Sequence, residues 1–252
     1  MELNKIYQGD CLEVMKDIPD KSVDMILCDL PYGTTACKWD TIIPFELLWE
    51  QYKRIIKNNG AIVLTAQTPF DKVLGSSNLE MLRYEWIWQK EQGTGGGNAN
   101  KMPLKDHENI LVFYKKLPQY NPQFSEGKPY KINRKKPNIK SVYGKTGFSE
   151  SFLKINTGQR YPKTVIKFNK ETGMHPTQKP VALFEYLIKT YTNEGDLVLD
   201  NCIGSGTTAV ACIKTNRNFI GIELSPEYCQ IANKRINEAK EQLTLLKNLE
   251  VK

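Results

Sequence analysis

The sequence predicts an α/β fold with a mostly parallel sheet covered by helices on both faces. Three observations carry this. Short, near-continuous apolar runs such as "SVDMILCD", "AIVLTA" and "NFIGIEL" suit strands buried on both faces. Segments with apolar residues at helical spacing alternate with them. Several of the runs end on an acid, at the edge where open α/β sheets present groups to ligands.

The elements follow in order. "KIYQGD" reads as a short strand ending at Asp10, and "CLEVMKDI" as a short helix closed by Pro19-Asp20. "SVDMILCD" is a buried strand ending at Asp29. In "PFELLWEQYKRIIKNNG", Pro44 suits a first helical turn, and Phe45, Leu48, Tyr52, Ile55 and Ile56 share a face. Asn59-Gly60 stops that helix. "AIVLTA", "YEWIWQK" and "NILVFYKK" read as further strands. The glycine-rich "GTGGGNANK" at 93–101 is a loop and a candidate lid. Residues 117–172 lack long periodicity and read as an insertion with little regular structure. "TQKPVALFEYLIKTYT" is again a helix, and "DLVLD" a strand ending at Asp200. "NCIGSG" is a tight turn, "TTAVACIKTN" a helix, and "NFIGIEL" a strand with Glu223 near its end. Ser225-Pro226 caps a long final helix, "EYCQIANKRINEAKEQL".

At 252 residues and 40% apolar, the chain suits one large domain carrying an insertion. No apolar run is long enough to span a bilayer. The first residues carry no apolar leader core, so a cytoplasmic protein is expected. Cysteines at 11, 28, 37, 202, 212 and 229 form no CxxC pair and lie far from both histidines. Neither a metal site nor a disulfide framework is expected, and the cysteines read as small buried residues. Trp39 and Trp49 read as core or interface aromatics, and His175 as a turn residue.

The net charge of +7 is unevenly placed. Residues 117–172 hold twelve Lys/Arg against three Asp/Glu, while the remainder holds 23 against 25. The basicity therefore belongs to the insertion, which is either a solvated surface or a seat for a polyanion. On the second reading, Lys135 and Lys136 of "NRKKPNIK" are candidate phosphate contacts, and Arg134 and Arg160 candidate base readers.

Two strand ends carry the chemistry. In "LVLDNCIGSGTTAVA", Gly204 and Gly206 let backbone approach a ligand, and Glu223 follows 19 residues after Gly204. That spacing puts a carboxylate near the ribose of a bound nucleoside. With Ala209 the stretch also fits G-x-G-x-x-A, so a dinucleotide and S-adenosylmethionine (AdoMet) both remain open here. The second strand end, "DLPY" at 29–32, suits methyl transfer to an aromatic amine. Such a nitrogen is a poor nucleophile because its lone pair is delocalised. Asp29 and the Leu30 carbonyl can each accept one N–H, Tyr32 can stack on the ring, and Pro31 stiffens the turn.

These motifs together resemble the AdoMet-dependent DNA amino-methyltransferases in the permuted β-class order. That family carries D-P-P-Y, a target-recognition region, H-P-T-x-K-P and D-P-F-x-G-S-G-T-T in this succession. Here they stand as "DLPY" at 29–32, the basic segment 117–172, "HPTQKP" at 175–180 and "DNCIGSGTT" at 200–208. The resemblance implies a seven-stranded, Rossmann-like methyltransferase sheet formed by 1–116 and 173–252, with 117–172 as target-recognition insertion. It implies Asp29, Leu30, Pro31 and Tyr32 as the catalytic set. For AdoMet it implies Asp10, Cys11, Asp29, Thr177, Lys179, Asp200, Cys202, Gly204, Ser205, Gly206, Thr207 and Glu223. Within that set Glu223 would bind the ribose, Asp10 the adenine, and Thr177 and Lys179 the methionine end. The substrate implied is adenine N6 of a flipped base in double-stranded DNA, since the motif begins with Asp where cytosine-N4 enzymes usually begin with Ser. A homodimer and a cognate restriction endonuclease are compatible with the resemblance. Leu30 departs from the first proline of D-P-P-Y, and "NC" at 201–202 departs from "PF", which removes an aromatic contact to the cofactor. Cytosine N4 as the target, an oxidoreductase resting on G-x-G-x-x-A, and a DNA-binding module that has lost catalysis are the competing readings.

Overall fold

The computed structural model describes residues 1–33, 40–134, 152–171 and 178–250. The expectations placed on Trp39, Lys135, Lys136, His175 and Thr177 lie outside them, as does the side chain of Arg134. The chain divides into two compact units, 1–121 with 164–252, and 122–163.

The larger unit opens with β1 (Lys5–Gln8) and α1 (Cys11–Val14). Asp10 caps α1, its side chain accepting from the backbone N–H of Leu12 at 2.8 Å. β2 (Val23–Asp29), α2 (Phe45–Ile55), β3 (Ile56–Ala66), α3 (Phe70–Ser76), β4 (Leu82–Thr94) and β5 (Lys105–Phe113) follow. The smaller unit contributes β6 (Ser125–Glu126), β7 (Tyr130–Arg134), β8 (Phe152–Asn156) and β9 (Gln159–Arg160). The larger unit resumes with β10 (Val165–Lys167), α4 (Val181–Tyr191), β11 (Leu197–Asp200), α5 (Thr207–Lys214), β12 (Asn218–Glu223) and α6 (Pro226–Glu250).

The main sheet runs β1-β12-β11-β2-β3-β5-β4-β10, and every pairing is parallel except those of β5. Side chains alternate across it. Met25 and Leu27 of β2 join the core under α4, α5 and α6, while Ile26 and Cys28 join the core under α2 and α3. From the central pair β11 and β2 the chain winds outward in opposite directions, which opens a crevice at their carboxyl ends.

The architecture is the predicted one, with three local differences. Among the described residues the sheet has eight strands rather than seven, because β10 adds to β4 inside what reads as insertion. It is three residues long and buries only Ile166, too little to leave a period in the sequence. Helix α2 stops at Ile55, and Ile56 is already extended (φ −69°, ψ 138°) and starts β3, before Asn59-Gly60 is reached. Among its described residues the smaller unit has two antiparallel ladders, β6 with β9 and β7 with β8, where the sequence leads one to expect little regular structure.

Candidate active site

Three acids stand at the carboxyl ends of neighbouring strands: Asp29 on β2, Asp200 on β11 and Glu223 on β12. Each is used differently. Asp200 is 3% exposed and holds the glycine turn, accepting from the Cys202 N–H at 3.1 Å and from the Thr208 hydroxyl. Burial pushes its carboxyl up to about 7, against the pull of those two donors. Glu223 accepts the N–H of Gly204 at 2.9 Å on one oxygen and that of Ser225 at 2.8 Å on the other. A carboxylate offers about four lone-pair sites, so two backbone donors leave room for ribose hydroxyls.

Gly204 (φ +51°) and Gly206 (φ +86°) take backbone angles that other residues avoid, and Gly206 caps α5. Arg235 of α6 donates to the carbonyl of Ser205 at 2.7 Å and to its hydroxyl at 3.0 Å. Asn201 and Cys202, the departures from the family pattern, are occupied as well. Tyr52 of α2 donates to Asn201 Oδ1 at 2.5 Å, and Asn201 donates to Cys202 Sγ at 3.5 Å. The turn is thus tied to helices on both faces of the sheet.

The second cluster surrounds Asp29. Its Oδ1 accepts from the Tyr32 hydroxyl at 2.7 Å and from the Thr65 hydroxyl of β3. Its Oδ2 accepts from Lys179 Nζ at 2.6 Å. Lys179 also faces Glu108 of β5 at 3.3 Å, and Glu108 accepts from Lys90 of β4 at 2.5 Å. Tyr32 stacks on Phe70, with ring centroids 5.0 Å apart and planes 27° apart. Leu30 is 4% exposed and packs into the core, so its replacement of proline is filled by apolar contact. Burial, then the charges of Asp29 and Glu108, hold the Tyr32 phenol well above its usual value, so it stays a donor.

Both clusters line one cavity of about 590 Å³. Asp10, Cys11, Asp29, Leu30, Pro31, Tyr32, Lys179, Asp200, Cys202, Gly204, Ser205, Thr207 and Glu223 are all in its wall, while Gly206 is not. Glu108, Lys90 and Trp88 also line it, and the sequence reading did not single them out. The signal existed: β5 is antiparallel, so its first residues lie at the edge where its parallel neighbours end. Arg160, read as a base contact, spends its guanidinium inside the smaller unit. It donates to Asn156, Gln159 and Lys128 and lies 4.7 Å from the Tyr130 ring centroid.

Fold and site define a Rossmann-like methyltransferase, with a ligand cavity at the switch point of the sheet. A family model for DNA methylases of the N6/N4 group matches residues 23–234, and the chain belongs to that family. The type II methyltransferase M.BglII of Bacillus subtilis is 33% identical over 252 residues, covering 91% of this chain and 68% of that protein. The DNA adenine methyltransferase YhdJ of Escherichia coli is 30% identical, covering 94% of this chain and 84% of that protein. Among solved structures, M1.HpyAVI in complex with SAM aligns with a TM-score of 0.63 at 27% identity, covering 92% of this chain and 98% of that one.

Proposed function

We propose that this DNA methyltransferase moves a methyl group from AdoMet to adenine N6 of a base flipped out of duplex DNA. The observation that carries it is the single cavity joining Asp29 and Tyr32 to the Gly204–Glu223 turn. The residues fit AdoMet: Glu223 keeps acceptor capacity for a ribose, and Ile203 and Leu224 give the cavity apolar wall beside it. M1.HpyAVI, similar over nearly the whole chain, is solved with that cofactor. When bound, AdoMet supplies an electrophilic methyl group.

The chain's own residues do the rest. Three donors occupy Asp29, which leaves about one lone-pair site for an N–H of the target amine. The Leu30 carbonyl takes the second N–H, and the pair favours the change of that nitrogen towards sp3 geometry. Tyr32, backed by Phe70, offers the base an aromatic face. Flipping costs a few kcal/mol, which stacking and these hydrogen bonds offset. The amine nitrogen would become positive as the sulfur–methyl bond gives way to a nitrogen–methyl bond and the neutral thioether leaves; the Asp29 carboxylate would stabilise that charge until the proton passes to solvent. Arg134, Lys135 and Lys136 remain our candidates for DNA contact, in the basic segment 117–172 that we assign to target recognition.

Adenine rather than cytosine rests on the Asp that opens "DLPY" and on the likeness to the adenine methyltransferase YhdJ. The test is incubation with methyl-labelled AdoMet and mixed-sequence duplex DNA, followed by nucleoside analysis. Label in N6-methyladenine is expected. Label in N4-methylcytosine moves the target to the other base, and DNA without label overturns the reading.

A further inference from the structure

Lys90, Glu108, Lys179 and Asp29 form a line of alternating charge across one wall of the cavity. Lys90 Nζ to Glu108 Oε1 is 2.5 Å, Glu108 Oε2 to Lys179 Nζ is 3.3 Å, and Lys179 Nζ to Asp29 Oδ2 is 2.6 Å. The side chains of Lys90, Glu108 and Lys179 are 10%, 11% and 7% exposed, and that of Asp29 is 26%. Apolar groups would fill the three inner positions at no electrostatic cost, so buried charge here calls for a reason other than packing. Glu108 belongs to no motif of the sequence, yet it is the second carboxylate on the lysine that holds Asp29.

We propose that Glu108, itself fixed by Lys90, is a positioning residue for methyl transfer. It clamps Lys179 so that the ammonium stays on one lone pair of Asp29 Oδ2 and the other lone pair of that oxygen is left to the target amine. It also offsets a positive charge beside a nitrogen that becomes positive during the reaction. The inference rests on the reading of Asp29 as the acceptor of that amine. Without Glu108, Lys179 would keep a single carboxylate, and its burial would weigh more heavily against its charge.

That has a titration consequence with a definite sign. Burial lowers the Lys179 pKa, Asp29 and Glu108 outweigh it, and the net value stands above the ordinary lysine range. The ammonium is therefore kept throughout the pH range in which duplex DNA is assayed. The groups facing it are Asp29 from β2, Glu108 from β5 and the Tyr32 ring, whose centroid is 5.5 Å away. Burial and the charges of Asp29 and Glu108 also raise the Tyr32 phenol well above its ordinary value, so it keeps its proton and remains a donor to Asp29.

The experiment compares the pH dependence of kcat for the wild type, Glu108→Gln and Glu108→Asp, with KM for AdoMet measured alongside. Thermal stabilisation by AdoMet confirms that each variant is folded. Glu108→Gln is expected to lower kcat about 10- to 100-fold with little change in KM, as misplacement of a reacting group does. It is also expected to bring the alkaline limb down into the assayed pH range, where the wild type shows none. Glu108→Asp restores the charge and returns the limb towards the wild type. An active wild type with an unchanged Glu108→Gln profile overturns the inference alone. So does a loss of kcat with the alkaline limb unmoved, which marks Glu108 as merely structural. A wild type that transfers no methyl to DNA brings down the underlying reading, and this inference with it.

Discussion

Asp29 is saturated on one oxygen and anchored on the other before any substrate arrives. Tyr32 and Thr65 donate to Oδ1, and Lys179 donates to Oδ2. A group held this way needs no reorganisation when the amine enters, which is where electrostatic catalysis gains most. Asp29→Ala is therefore expected to lower methyl transfer by about 10²- to 10³-fold or more, the scale seen when one oriented partner of a developing charge is removed. AdoMet-induced thermal stabilisation should persist, because Glu223 and the glycine turn lie on other strands. Methylation by that variant at the wild-type rate would remove the cradle from the mechanism. At this scale half of the site is legible in the sequence. Asp29, Asp200 and Glu223 each end an apolar run, so local pattern alone marks them. The contact between Lys179 and Asp29 joins residues 150 apart in the chain, and no local pattern announces it.

The glycine turn depends on how α5 packs against α6. Gly206 sits at φ +86°, and a Cβ there would come within 2.9 Å of the Ala232 Cβ and 3.1 Å of its Cα. Both faults act on one element, the start of α5. Gly206→Ala is thus expected to cost about 1–3 kcal/mol of stability, from left-handed strain together with the displaced helix. For a chain of this size that lowers the melting temperature by several degrees. AdoMet affinity should fall in the same variant, since the turn that α5 carries lines the cavity. A calorimetric scan with and without AdoMet reads both; an unchanged scan would mean that the two helices can part freely. Elements of this kind were the most legible part of the fold, because strand, glycine turn and helix differ sharply in period. Boundaries set by tertiary pairing were not. Ile56 continues the apolar face of α2 in sequence, yet it pairs with Val23 of β2, and that long-range partner decides its conformation. β10 escapes for the same reason: three residues become a strand only because β4 offers its edge.

Charge is divided between the two units of the molecule. Residues 122–163 hold ten Lys/Arg against two Asp/Glu, so the remainder of the chain is nearly neutral. A duplex carries about one charge per 1.7 Å of helix axis, and a protein gains affinity mainly by releasing the counterions around it. If the smaller unit provides the grip on DNA, affinity should be lost there without loss of cofactor binding. Lys128, Lys131 and Lys154 are exposed on that unit. Changing all three to Gln should weaken DNA binding and flatten its dependence on salt, by about 0.9 in the log–log slope for each lysine that touches a phosphate. AdoMet-induced stabilisation should be unaltered, because the described residues that line the cavity belong to the larger unit. Titration of labelled duplex at several salt concentrations measures the slope. A triple variant with the wild-type slope would exclude these three lysines as phosphate contacts and leave the grip to Arg134, Lys135 and Lys136.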